Sequence, residues 1–204
     1  DAGGSIRVPA ACCGVYGLKP SFGRIPLVRR PDAFNAHTPF VGVGPLTRTV
    51  EDAALALEAL SGHHPRDPFS APRPDEDFVA AVRRGIDGAR VAYTPDFDGL
   101  FSIDGRVGDV VDDAVGAFAT AGATVETRPV DLGLDGGAFD DSFGTLFRVL
   151  HASGLEAYER RGIDLLGDHG DELSTPAREA YEAVEGTTVR EYKRADAART
   201  TVLD

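Results

Sequence analysis

Asp1-Ala2-Gly3-Gly4-Ser5-Ile6-Arg7-Val8-Pro9-Ala10-Ala11 opens the chain. A serine that attacks a carbonyl needs backbone N–H donors aimed at the oxygen that becomes negative as the carbon turns tetrahedral. Consecutive glycines suit that need, because they let the backbone curl until successive N–H groups point into one concavity. Gly-Gly-Ser alone is also the composition of an ordinary turn or linker, so its weight depends on the residues downstream of it.

Two further ordered blocks stand there. Pro9-Ala10-Ala11-Cys12-Cys13-Gly14-Val15-Tyr16-Gly17-Leu18-Lys19-Pro20-Ser21-Phe22-Gly23-Arg24 comes first, and Gly44-Pro45-Leu46-Thr47-Arg48-Thr49-Val50-Glu51-Asp52-Ala53-Ala54 comes after a gap. With the opening, these blocks resemble the amidase-signature family: D-x-G-G-S-[IV]-R, then P-A-x-x-C-G-V-x-G-L-K-P-[ST]-x-G-R, then G-P-[ML]-x-R-[ST]-V-x-D-A-A. The firm part of the resemblance covers about a third of the chain, and beyond residue 72 it rests on the order of elements alone.

The resemblance implies a serine hydrolase acting on carboxylic amides, of the general amidase type. Ser5 becomes the acyl-accepting nucleophile, and the backbone N–H groups of Ala2, Gly3, Gly4 and Ser5 become the oxyanion hole. Asp1 and Arg7 take supporting positions that hold the loop by hydrogen bonds and charge pairing. The family's catalytic unit is Ser-Ser-Lys, and its lysine and its cis-peptide serine are expected upstream of Asp1, since a serine hydroxyl needs a neighbouring base. The implied fold is α/β, an α/β/α sandwich around a mixed central sheet. Residues 1–204 are then an incomplete internal part of a single amidase domain, inactive in isolation. Neither a cofactor nor a metal is implied. A small-molecule amide is the expected partner, and a homodimer is compatible.

The nearest rival is the amidase subunit of an aminoacyl-tRNA amidotransferase, which shares these blocks and passes ammonia to a partner. Val8, where glutamine is expected, and the departure of residues 27–40 from that subunit's pattern weigh against it. A rival of another class is a catalytically silent amidase-like binding protein, with the glycine-rich opening serving only as an anion nest. The acyl pocket is expected within residues 27–43 and 139–158, neither of which names a substrate.

Composition excludes other classes. The net charge is −12, from 33 acidic and 21 basic residues, and no Lys/Arg stripe could track phosphates. Nucleic-acid and anionic-membrane partners are disfavoured. The acids are spread along the chain and only Lys19 and Lys193 are lysines, a composition compatible with salt adaptation. No apolar run reaches the length of a membrane span. Cys12 and Cys13 are adjacent, a geometry that strains a mutual disulfide, and a reducing, cytoplasmic compartment fits them. The chain starts on Asp1 and contains no methionine, so a fragment or a processed chain is expected.

Periodicity sets the organisation. The first fifty residues read as loops and short strands. Val50, Ala53, Ala54, Leu57 and Leu60 form a helical face with Thr49 as N-cap and Gly62 as stop. A short helix is expected over 75–84. Residues 90–94 (RVAYT) read as a buried strand, Val107, Val110, Val111, Ala114, Val115 and Phe118 as a helical stripe, and 123–128 (ATVETR) as a second strand. This unit calls for a right-handed crossover to a parallel strand. Helical pattern resumes from 137, breaks near 162–174, and returns over 176–185 and 189–203, the last piece capped by Thr187 or Thr188.

Other reactive residue types carry less. Lys19 sits in the G-L-K-P block and Lys193 on a polar helix, so neither is assigned to catalysis. His37, His63, His64, His151 and His169 lack metal-ligand spacing. Asp112-Asp113 and Asp140-Asp141 read as solvated helix faces, and the two cysteines as packed residues.

Overall fold

The computed structural model describes residues 1–30, 33–34 and 41–204. His37 and part of the 27–43 pocket candidate lie outside the described residues. The chain forms two compact units, Asp1–Arg84 and Gly85–Asp204.

In the first unit a helix the sequence pattern hides, α1 (Arg7–Cys13), follows directly on the Ser5 turn. Pro9 lies in its first turn, where the missing N–H would have had no intrahelical acceptor. Gly14, left-handed at φ 62°, ends the helix and returns its N–H to the carbonyls of Ala10 and Ala11. A two-residue strand β1 (Tyr16–Gly17) pairs antiparallel with β2 (Leu46–Thr47). Helix α2 (Val50–Leu60) begins on Thr49, whose side chain accepts the Asp52 N–H, with Glu51 and Asp52 in the first turn. Its face of Ala53, Ala54 and Leu57 is buried, as are Ile6 and Ala10 in the same unit. Helix α3 (Phe78–Val82) is shorter than the pattern suggested, because Asp77 caps it by accepting the Ala80 N–H.

The second unit contains the expected strand–helix–strand piece. β3 (Arg90–Tyr93) and β4 (Thr124–Thr127) pair in parallel, Arg90 opposite Thr124 and Tyr93 opposite Thr127, and α4 (Gly105–Thr120) connects them. β3 differs from expectation in burial, since its residues alternate between exposed and half-buried. The apolar stripe of α4 also stays open to solvent, with Val110 at 68% exposure and Val107 at 55%. The two four-residue strands run for only roughly 13 Å, against roughly 24 Å for a sixteen-residue helix, so they can cover only part of it. Three more α-helices follow: α5 (Gly136–Glu159), α6 (Thr175–Glu182) and α7 (Val189–Leu203). Thr188 and Glu191 close a capping box on α7. Leu146 of α5 and Ala195 of α7 are buried, and α5 packs on both α6 and α7. Among the described residues no helix is long and apolar enough to cross a membrane.

Candidate active site

The opening loop is built around one carboxylate. Asp1 Oδ1 accepts the Gly4 N–H at 2.8 Å and Arg7 Nη2 at 3.1 Å. Asp1 Oδ2 accepts the N–H groups of Ile6 at 3.2 Å and Arg7 at 3.4 Å, and Arg7 Nε at 3.1 Å. The Asp1 side chain is 1% exposed while that of Arg7 is 64% exposed. The acid is therefore the buried organiser, and the guanidinium covers it from outside. Asp1 is held in turn by Gly42, whose N–H donates to the Asp1 carbonyl at 3.0 Å and whose carbonyl accepts from the Asp1 nitrogen.

This arrangement sets Ser5 outward. Gly4 and Ile6 on either side are buried, Ser5 itself is exposed, and Val8 N–H closes onto the Gly4 carbonyl at 2.7 Å to start α1. Ile6 and Ala10 anchor the helix beneath the turn. The Ser5 hydroxyl has no hydrogen-bond partner among the described residues. The N–H groups of Ala2, Gly3 and Ser5 likewise meet no acceptor there, which leaves three donors open along the loop. Gly4 departs from the expected set of four oxyanion donors, because its N–H is committed to Asp1. Sequence cannot show that division, which follows from the backbone conformation at Gly4.

Gly4 adopts φ 116°, and a Cβ placed on it would stand 2.9 Å from Val8 Cγ2. Gly4→Ala is therefore expected to cost about 1–3 kcal/mol in backbone strain and displacement and to swing Ser5 from its place. A thermal midpoint unchanged from wild type in Gly4→Ala would contradict this. Adding Val8→Ala should restore only part of the loss, since it relieves the contact and not the φ angle.

Several other candidate groups have partners of their own. Lys19 Nζ donates to the Pro20 carbonyl at 3.1 Å, and Lys193 pairs with Asp196 at 3.0 Å on the exposed face of α7. Asp112 accepts the Tyr93 hydroxyl at 2.6 Å, a bond that raises the phenol's pKa above its ordinary value. His169 pairs with Glu172 at 2.9 Å, which raises its pKa, and His151 bonds the Phe147 carbonyl. No group of three or more potential metal ligands occurs among the described residues. Cys12 and Cys13 are free and exposed, contrary to the packed position read from sequence, because the last turn of α1 faces outward there.

The amidase family model matches residues 1–133. The chain belongs to the amidase family. Among curated relatives, it is 42% identical over 126 residues to the A subunit of glutamyl-tRNA(Gln) amidotransferase from Ligilactobacillus salivarius, a match covering 62% of this chain and 25% of that protein. Among solved structures, a bacterial aryl acylamidase of the amidase-signature family superposes with a TM-score of 0.86 and 35% identity over 98% of this chain and 40% of the other. The A subunit of the Thermotoga maritima glutamyl-tRNA(Gln) amidotransferase gives 0.63 and 25% over 99% of this chain and 41% of the other. The chain thus spans about a quarter of the length of the curated relatives and about two-fifths of the solved ones. Its α/β architecture is that of part of an amidase-signature enzyme.

Proposed function

We propose that this chain carries the nucleophile and oxyanion donors of a general amidase. In this reading Ser5 Oγ attacks the amide carbonyl, and the N–H groups of Ala2, Gly3 and Ser5 receive the developing oxyanion. The amine or ammonia leaves an acyl ester on Ser5, and water then releases the acid. The observation that carries the reading is the exposed Ser5, with the N–H groups of Ala2, Gly3 and Ser5 meeting no acceptor among the described residues, on a loop fixed by the buried Asp1. A hydroxyl at neutral pH needs a base to take its proton. The Ser-Ser-Lys resemblance assigns that base to parts of the longer protein; Lys19 donates to the Pro20 carbonyl and Lys193 pairs with Asp196. Residues 1–204 are then part of one amidase domain, inactive alone, working on small amides in the cytoplasm.

A second reading, the amidase subunit of an aminoacyl-tRNA amidotransferase, draws support from the 42% identity to such subunits. The general amidase is favoured by the superpositions, since over nearly the same span the acylamidase gives 0.86 and the amidotransferase 0.63. The longer protein, purified without partner subunits, is expected to hydrolyse 4-nitroacetanilide and related simple amides. Enzyme quenched with acid during turnover should carry an acetyl group on the peptide containing Ser5. Absence of hydrolysis until a partner subunit is added would favour the second reading, and turnover with acylation elsewhere would overturn the first.

A further inference from the structure

Beside the Ser5 loop, within the same unit, lies a narrow crevice with about 40 Å³ of open space. That is room for a group of a few heavy atoms, and not for a whole substrate. Its walls are largely apolar, from Phe22, Leu27, Val41 and Phe69, and Gly42 in the same wall is the residue whose backbone bonds to Asp1. Two charged side chains enter it, Asp67 and Arg29.

Their situations differ. Asp67 is 6% exposed, and both of its oxygens are engaged by backbone donors, Leu27 N–H at 2.8 Å and Phe69 N–H at 3.0 Å. Arg29 is half-buried; its Nε is shut off from solvent and has no hydrogen-bond acceptor, and no carboxylate pairs with the guanidinium among the described residues. A guanidinium keeps its charge at every workable pH, and withdrawing charge from water without a partner is costly. Arg30 and Arg66 stand beside it: Arg30 donates to the carbonyls of Arg29 and Arg66, and neither pairs with a carboxylate among the described residues. In a chain of net charge −12, this corner is locally cationic.

We propose that the Arg29 crevice seats a carboxylate carried by the amide substrate, which makes the protein selective for amides bearing an acid group at one end. The planar fork of Arg29 matches a carboxylate's two oxygens. The apolar walls strengthen the pairing by excluding water, and Arg30 and Arg66 favour approach of an anion. This inference rests on Ser5 being the reacting residue, because it is the Gly42–Asp1 backbone link that places the crevice beside that loop. The acid group can sit on the acyl half or on the amine half of the substrate, and both place the same chemistry against Arg29.

The test uses the longer protein with Ser5→Ala, so that ligands bind without turning over. Calorimetry compares glutaranilic acid with valeranilide, which differ by a carboxylate on the acyl half. It then compares 4-butyramidobenzoate with butyranilide, which differ by one on the amine half. In at least one pair the acid should bind about tenfold more tightly or better, the range expected of a charge-assisted bidentate pair. Adding Arg29→Gln should erase that difference, and Arg29→Lys should keep part of it, which also guards against a misfolded glutamine variant. Equal affinities in both pairs, no measurable binding of either acid, or a preference unchanged by Arg29→Gln would overturn the proposal. Hydrolysis of these amides by the Ser5 protein is a separate readout, so failure of the nucleophile assignment would show there while the binding comparison still stood.

Discussion

Asp1→Ala is expected to collapse the opening loop and reduce amide hydrolysis by the longer protein about 10²–10³-fold, the range seen when an oxyanion donor is lost. The Asp1 carboxylate is 1% exposed and receives three backbone N–H groups as well as two contacts from Arg7. Removing it leaves the N–H groups of Gly4 and Ile6 buried without an acceptor, at about 1–3 kcal/mol each. Arg7 loses its partner too, but at 64% exposure its guanidinium is hydrated and that loss counts for little. The total, about 2–6 kcal/mol, is a large fraction of ordinary domain stability. With Asp1 gone the Gly4 N–H is released and the loop has no fixed curl, so kcat should fall more than KM rises. Asp1→Asn separates the two functions, since its amide oxygen can still accept from Gly4 while its NH₂ group opposes the donors of Ile6 and Arg7. It should lie between wild type and alanine in both thermal midpoint and kcat. Wild-type turnover in Asp1→Ala would remove the carboxylate from the account.

Helix α2 was legible in sequence because three local signals agreed there: the Thr49 cap, the acids at 51 and 52, and an apolar face repeating at helical spacing. The β3–α4–β4 piece was legible for a related reason, a change of period from strand to helix and back, and its parallel pairing follows from the crossover. Helix α1 was not, because seven residues holding Pro9 and a Cys-Cys pair are too short to show a periodic stripe. The burial expected of β3 also failed, since burial depends on what packs against an element and not on the element's own pattern.

The same division runs through the site. The family resemblance carried by the three sequence blocks pointed to Ser5 and to Asp1 and Arg7 around it. It could not tell that the Gly4 amide turns toward Asp1, because that depends on a φ of 116° that any Gly-Gly-Ser could adopt or decline. Arg29 was equally hidden: an arginine in sequence is ordinarily a solvated one, and only the fold shows its Nε enclosed without an acceptor among the described residues.

The largest expected effect belongs to Ser5 itself. Ser5→Ala should lower amide hydrolysis by about 10⁴–10⁶-fold, the range found when a nucleophile acting as part of a unit is removed. Its thermal midpoint should stay close to the wild-type value, since the change removes a hydroxyl from an exposed residue and not from a packed core. That combination separates a chemical role from a structural one, which would move both. The most direct measurement is peptide mapping of the longer protein after reaction with a fluorophosphonate probe. A single phosphonylated serine at Ser5, with labelling abolished in Ser5→Ala, is the predicted result. Labelling at a different residue, or retained in Ser5→Ala, would contradict the assignment of this loop as the catalytic centre.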